Sequence, residues 1–93
     1  MSSTKLIVQP DAVDTFAQEL RSYASQLEGS TCRMRSRLLS LGDQWQDDKY
    51  RRFRDEIGEL ERRVKKSRES VLSYAAHLNT FADLVRVAGS TKI

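Results

Sequence analysis

Cysteine, histidine, proline and tryptophan each occur once in this chain of 93 residues, as Cys32, His77, Pro10 and Trp45. A lone thiol closes no intrachain disulfide, so the fold cannot depend on one. A metal site needs several converging ligands, and none recurs here at ligand spacing; neither a metal nor a cofactor is expected. No Ser/His/Asp grouping is supported, and the chain reads as no enzyme. Long apolar runs are missing as well: none approaches the roughly 18 residues of a membrane-spanning helix. The start is apolar only at Leu6-Ile7-Val8, too short for a signal-peptide core. These absences predict a protein made in the cytoplasm without a cleaved signal peptide and without membrane insertion.

What the chain has in quantity is charge and regularly spaced apolar residues. With 39% hydrophobic and 31% charged residues it suits a soluble helical protein rather than a disordered tail. The net charge of +3 is uneven, with five basic and five acidic side chains in residues 1–46 against eleven and eight in 47–93. Pro10 suits the first position of a helix, where its missing N–H has no partner, and Asp11 and Asp14 complement the positive end of the helix dipole. From there Val13, Leu20, Leu27, Met34 and Leu41 recur every seven residues, flanked by Phe16, Ala17, Tyr23, Ala24 and Leu38. Spacings of three and four bury one helical face, and no alternating pattern competes. Gly29-Ser30-Thr31 is a candidate bend, but the heptad phase crosses it unbroken, which predicts one helix over about 10–40.

The second half has the stronger pattern. With Tyr50 at position a, the a and d positions are Tyr50, Phe53, Ile57, Leu60, Val64, Ser67, Val71, Tyr74, Leu78, Phe81, Val85 and Ala88, eleven of twelve apolar or aromatic. Six heptads in one phase predict a helix from about 47 to 88, on the order of 60 Å long, ended by Gly89-Ser90-Thr91. Two such helices joined by a turn at about 41–46 form an antiparallel hairpin. The fold class is therefore all-α, with residues 1–93 as a single helical-hairpin domain with short tails. Its seam is expected at Val13, Leu20, Leu27, Met34 and Leu41 against Ile57, Leu60, Val64, Val71 and Leu78. Further apolar residues, Ala17, Ala24 and Leu38 of the first helix and Leu72 and Ala75 of the second, need a second partner, and a twofold dimer forming a four-helix bundle provides it.

The run Leu41-Gly42-Asp43-Gln44-Trp45-Gln46-Asp47, with Phe53 eight residues after the tryptophan, resembles the turn of the Trp-x-Gly (WXG) family. These are small helical-hairpin type VII secretion substrates of the early-secreted-antigenic-target type. Val8 to Phe16 looks like the family's entry to helix 1, so the likeness spans almost the whole chain. It implies a protein that works by dimerisation and protein–protein recognition. The partners it implies are a second copy, a sister hairpin, or a secretion ATPase. The third motif position is Asp47 instead of glycine, and an aspartate there is suited to cap helix 2 while Gly42 ends helix 1. The family's Tyr-x-x-x-Asp/Glu export signal is not matched, since Tyr74 is followed by Leu78 and Tyr50 by Arg54. Export by a type VII-like system and residence in the cytoplasm as an adaptor both stay open.

Several residues carry two readings. Trp45, with Asp47 and Phe53, is either a recognition element or a plug for the end of the hairpin. The basic run Arg62-Arg63-Val64-Lys65-Lys66-Ser67-Arg68 offers an alternative, a coiled-coil structural or nucleic-acid-associated protein. Interleaved acids argue instead for a solvated face, with Glu59–Arg63 and Glu61–Lys65 at pairing distance along the helix. Ser67 is the one polar interruption of the helix 2 pattern, suited either to close helix approach or to a hydroxyl bonding its own helix.

Overall fold

The structure, a computed structural model, describes residues 8–90. It consists of two antiparallel helices, α1 (Pro10–Leu41) and α2 (Asp48–Ser90), with no strand among the described residues. Leu6 and Ile7, and the tail from Thr91 onward, lie outside the described residues. The hairpin is a flat rod with Cα extents of 71 × 25 × 14 Å.

The helix ends follow from local chemistry. Gln9 in extended conformation precedes Pro10, and its carbonyl accepts the N–H groups of Ala12 and Val13. Helix α1 passes through Gly29 to Thr31 without a break, and the Thr31 hydroxyl donates back to the Leu27 carbonyl at 2.8 Å. At the other end α2 continues through Gly89 to Ser90 instead of stopping at 88. A glycine stops a helix by entering the left-handed region, and Gly89 does not: no described residue has positive φ.

Between the helices the most buried residues are four alanines, Ala17, Ala24, Ala75 and Ala82, with Tyr50 closing the turn end. Val13, Leu20, Leu27, Met34, Leu38, Ile57, Val64, Val71 and Leu78 are half-buried. Two expected seam residues lie outside it: Leu60 is 41% exposed and Leu41 49%. Ala17, Ala24 and Ala75, expected on a second face, instead lie in the seam and set which side of each helix turns inward. Each helix can turn one of two neighbours of its a positions inward, the d residue three ahead or the e residue four ahead. In the open half of the hairpin the e residues are Ala17, Ala24, Ala75 and Ala82, small enough for the backbones to approach, and they are the ones buried. The d residues of α2 turn outward, so Phe53, Leu60, Ser67, Tyr74 and Phe81 are all exposed. Leu41 lies one turn beyond the last closed layer, in which Tyr50 meets Leu38.

Candidate functional site

The hairpin presents three distinct surfaces: its turn and two broad faces. In the turn, Gly42, Asp43, Gln44 and Trp45 keep their N–H groups bonded to carbonyls of Leu38 to Leu41 at 2.9–3.2 Å. Gly42 ends α1, as expected, but in right-handed helical geometry, φ −62° and ψ −21°, so its role is not backbone freedom. Its role is space. A Cβ there would stand 2.7 Å from the Tyr50 hydroxyl oxygen and 3.0 Å from Cζ. That hydroxyl donates to the Leu38 carbonyl at 2.8 Å and ties the start of α2 to the end of α1.

Asp47 stands just before α2, and its Oδ1 accepts the Tyr50 N–H at 3.0 Å, the geometry of a helix N-cap. That backbone N–H holds the Asp47 carboxyl below the usual carboxylate range; the Trp45 indole, the Lys49 N–H and the Arg51 charge act in the same direction. Trp45 is half-buried, its ring centroid 5.7 Å from both Tyr50 and Phe53 at interplanar angles of 61° and 57°. These are tilted contacts of the kind aromatic quadrupoles favour. Phe53 is half exposed, and together with Trp45, Lys49, Arg52 and Glu56 it borders a shallow apolar depression at the tip. The three site residues taken from the sequence therefore form one cluster.

One broad face is polar and tied across the hairpin. Arg86 reaches Asp14 at 2.6 Å and Asp11 at 2.8 Å, while Asn79 donates to Asp14 at 2.6 Å and accepts from Arg21. Further along, Arg68 meets Glu28 at 3.1 Å and Arg35 meets Glu61 at 2.9 Å. The Arg86 hydrogen bond, followed by that of Asn79, lowers the Asp14 pKa, and the two aspartates raise that of Arg86. This network was missed from the sequence. The signal was there: Asp14, Arg21, Glu28 and Arg35 recur every seven residues, each one position after an a residue. Of the pairs expected along α2, Glu59 instead meets Arg62 one turn on, at 2.6 Å, and Glu61 crosses to Arg35. A charged side chain pairs with whichever opposite charge its rotamer reaches, and the hairpin brings Arg35 within reach of Glu61.

The opposite face is apolar. With a and e in the seam, the residues after a fall on the polar side and the d residues on the other, for both helices, because the antiparallel arrangement mirrors their handedness. This face carries Phe16, Tyr23, Ser30 and Arg37 of α1 beside Phe53, Leu60, Ser67, Tyr74 and Phe81 of α2. Consistent with that, Ser30 and Arg37 share a groove with Met34, Leu38, Leu41 and Ile57. Cys32 and His77 are exposed, and no group of three or more His, Cys, Asp or Glu gathers as a metal site among the described residues.

A comparison with curated protein sequences returns no match. Among solved structures, the chain is similar to the secreted protein EsxB of Bacillus anthracis str. Sterne. A selenomethionine-labelled crystal form superposes with a TM-score of 0.83 at 17% identity, covering 94% of this chain and 99% of that one. A wild-type form gives 0.81 at 18% identity, with 89% and 95% covered. At that identity the likeness is one of fold, the helical hairpin. In sequence, residues 5–88 match the family described as proteins of 100 residues with WXG. With that match running from the entry of α1 almost to the end of α2, the chain belongs to the WXG100 family.

Proposed function

We propose that this chain is a non-catalytic substrate or adaptor of a type VII secretion system. It acts as one of a pair of hairpins joined through the apolar face, forming a four-helix bundle, with the Trp45, Asp47 and Phe53 cluster offered to the secretion machinery, a secretion ATPase among its candidate partners. The observation that carries this reading is the apolar face. Five aromatic side chains, Phe16, Tyr23, Phe53, Tyr74 and Phe81, are 44–60% exposed, and exposed apolar surface of this kind marks a site of protein–protein contact. Family membership and a fold shared with a secreted protein support export. Asp47 does not argue against the turn, since it caps α2 where the family's motif has glycine.

Sedimentation equilibrium at micromolar concentration tests the pairing. A dimer is expected, and a well-folded monomer would overturn the reading. For the turn, Trp45→Ala is expected to abolish export or partner binding; retained export and binding would remove Trp45 from the recognition role. A nucleic-acid role has weaker support. Arg51, Arg62 and Arg68 stand 2.6, 2.6 and 3.1 Å from Asp48, Glu59 and Glu28. Duplex DNA binding with a steep salt dependence would restore it.

A further inference from the structure

Half of the chain's sixteen cations stand in two short runs, Arg33, Arg35 and Arg37 of α1 and Arg62, Arg63, Lys65, Lys66 and Arg68 of α2, and neither run contains an acid. The other eight cations share the rest of the chain with all thirteen acids. The hairpin brings the two runs side by side, since Arg35 meets Glu61 and Arg68 meets Glu28 across the seam. A rod 71 Å long thus carries a cationic belt of about 15 Å. Flanking acids neutralise part of it: Arg35, Arg62 and Arg68 pair with Glu61, Glu59 and Glu28 at 2.9, 2.6 and 3.1 Å. Arg37, Arg63, Lys65 and Lys66 are exposed and make no ion pair among the described residues. On the polar face, between Lys65 and Arg35, lies a cavity of about 170 Å³ that Thr31, Cys32 and Arg68 also line. It is there because the e positions at this level are Thr31, Glu61 and Arg68, in place of the alanines that close the open half of the hairpin.

We infer that this belt binds a short acidic segment of another protein, laid across the polar face from Arg62 and Lys66 through Lys65 to Arg35, with a carboxylate over the cavity. The inference does not rest on the pairing proposed above, which uses the opposite face. Charge and size select the occupant. Lengthwise, the cluster on α2 is only about 10 Å long, and it ends at Asp55, Glu56 and Glu59 on one side and Glu69 on the other. A bilayer laid along the rod would press on those acids. So would a duplex, whose major groove alone is about 12 Å wide. Single-stranded nucleic acid binds through aromatic stacking, and neither run holds an aromatic residue. A flexible acidic chain crossing the rod meets the cations and avoids the flanking acids. The rod is 25 Å wide, which an extended segment of about seven residues spans.

Fluorescence anisotropy of a dye-labelled octaglutamate peptide, titrated with the full chain at low salt, tests the site. Binding that weakens as salt is added is expected. Lys65→Gln combined with Lys66→Gln is expected to weaken it on the order of 10-fold while α-helical content is kept. Arg37→Gln, on the apolar face, is expected to leave it unchanged. The Cys32 thiol is exposed and borders the cavity, so bound peptide is expected to slow its alkylation by N-ethylmaleimide. Absence of binding at low salt, or an equal loss from Arg37→Gln, would overturn the inference. Bound peptide that leaves Cys32 unprotected would move it off the polar face and overturn it too. Duplex DNA, or vesicles of phosphatidylserine and phosphatidylcholine, would displace the acidic segment as occupant by binding more tightly than the peptide and losing affinity with the same two lysines. None of these results touches the pairing of hairpins, which sedimentation reads separately.

Discussion

The turn has no room for a side chain at Gly42, and replacing that glycine with alanine sets two opposed effects against each other. The residue has right-handed helical geometry, so alanine there gains backbone preference of about 1 kcal/mol over glycine. Against that gain, the added Cβ would stand 2.7 Å from the Tyr50 hydroxyl oxygen, 3.0 Å from its Cζ and 3.2 Å from the Leu39 carbonyl oxygen. Tyr50 is only 6% exposed, and a phenol ring cannot bend away as a lysine can. Its retreat costs about 1–3 kcal/mol in packing and, once the 2.8 Å bond to the Leu38 carbonyl is lost, about 1 kcal/mol more. Gly42→Ala is therefore expected to destabilise by roughly 1–3 kcal/mol, a fall in Tm on the order of 10 °C. The clash is with the hydroxyl first, so in a Tyr50→Phe background the same substitution should cost about 1 kcal/mol less. Urea unfolding followed by circular dichroism, at one protein concentration for all four proteins of the cycle, measures this. A stabilising Gly42→Ala, or an equal cost in both backgrounds, would refute the account of Tyr50 seated on Gly42.

Three further outcomes follow from the same geometry. Asp47→Ala removes the acceptor of the Tyr50 N–H and should lower Tm on the order of 5 °C, whereas Asp47→Asn, itself a good cap, should lower it less; equal effects would deny the cap. Asp14 and Asp47 have folded pKa values below their unfolded ones, so the stability they add is present above about pH 4 and is lost as pH falls through the folded values. Thermal melts from pH 7 to pH 3 should show a steeper acid-side decline for the parent chain than for Asp14→Asn or Asp47→Asn, and matching slopes would contradict the assignment. Ala75→Leu forces a large side chain between helices that approach on alanine and should cost about 1–3 kcal/mol in chemical denaturation; a neutral result would mean that the seam does not close on Ala75.

The period of α2 was legible because twelve positions repeat in one phase, and the hairpin followed from two long helices with a short connection. The face of α2 that meets α1 was not. Hydrophobicity ranks Phe53, Leu60, Tyr74 and Phe81 above Ala75 and Ala82, so the d row reads as the inner one. Packing ranks them the other way, since a helix pair approaches most closely where side chains are smallest, and the larger residues are left to line a different surface. The same limit applies to the charges. Read along one helix, Glu61 belongs with Lys65; only the hairpin brings it to Arg35. Asp47 was readable as a cap because its partner lies three residues away. The requirement at Gly42 was not, since the atom that needs the space belongs to Tyr50, across the turn.

The alanine layers also bear on how folding relates to association. Alanine contributes little area, so a seam closed on Ala17, Ala24, Ala75 and Ala82 leaves the hairpin with a thin core of its own, while its larger aromatics lie on the outer face. Burial of a bulky side chain contributes about 1.5–3 kcal/mol, and on the proposed pairing much of that gain comes only when a second hairpin covers Phe53, Tyr74 and Phe81. Folding and pairing are then a single linked equilibrium, in which the unfolding midpoint rises with protein concentration. On that pairing the polar face takes no part in the linkage. Its cross-hairpin ion pairs form within one chain.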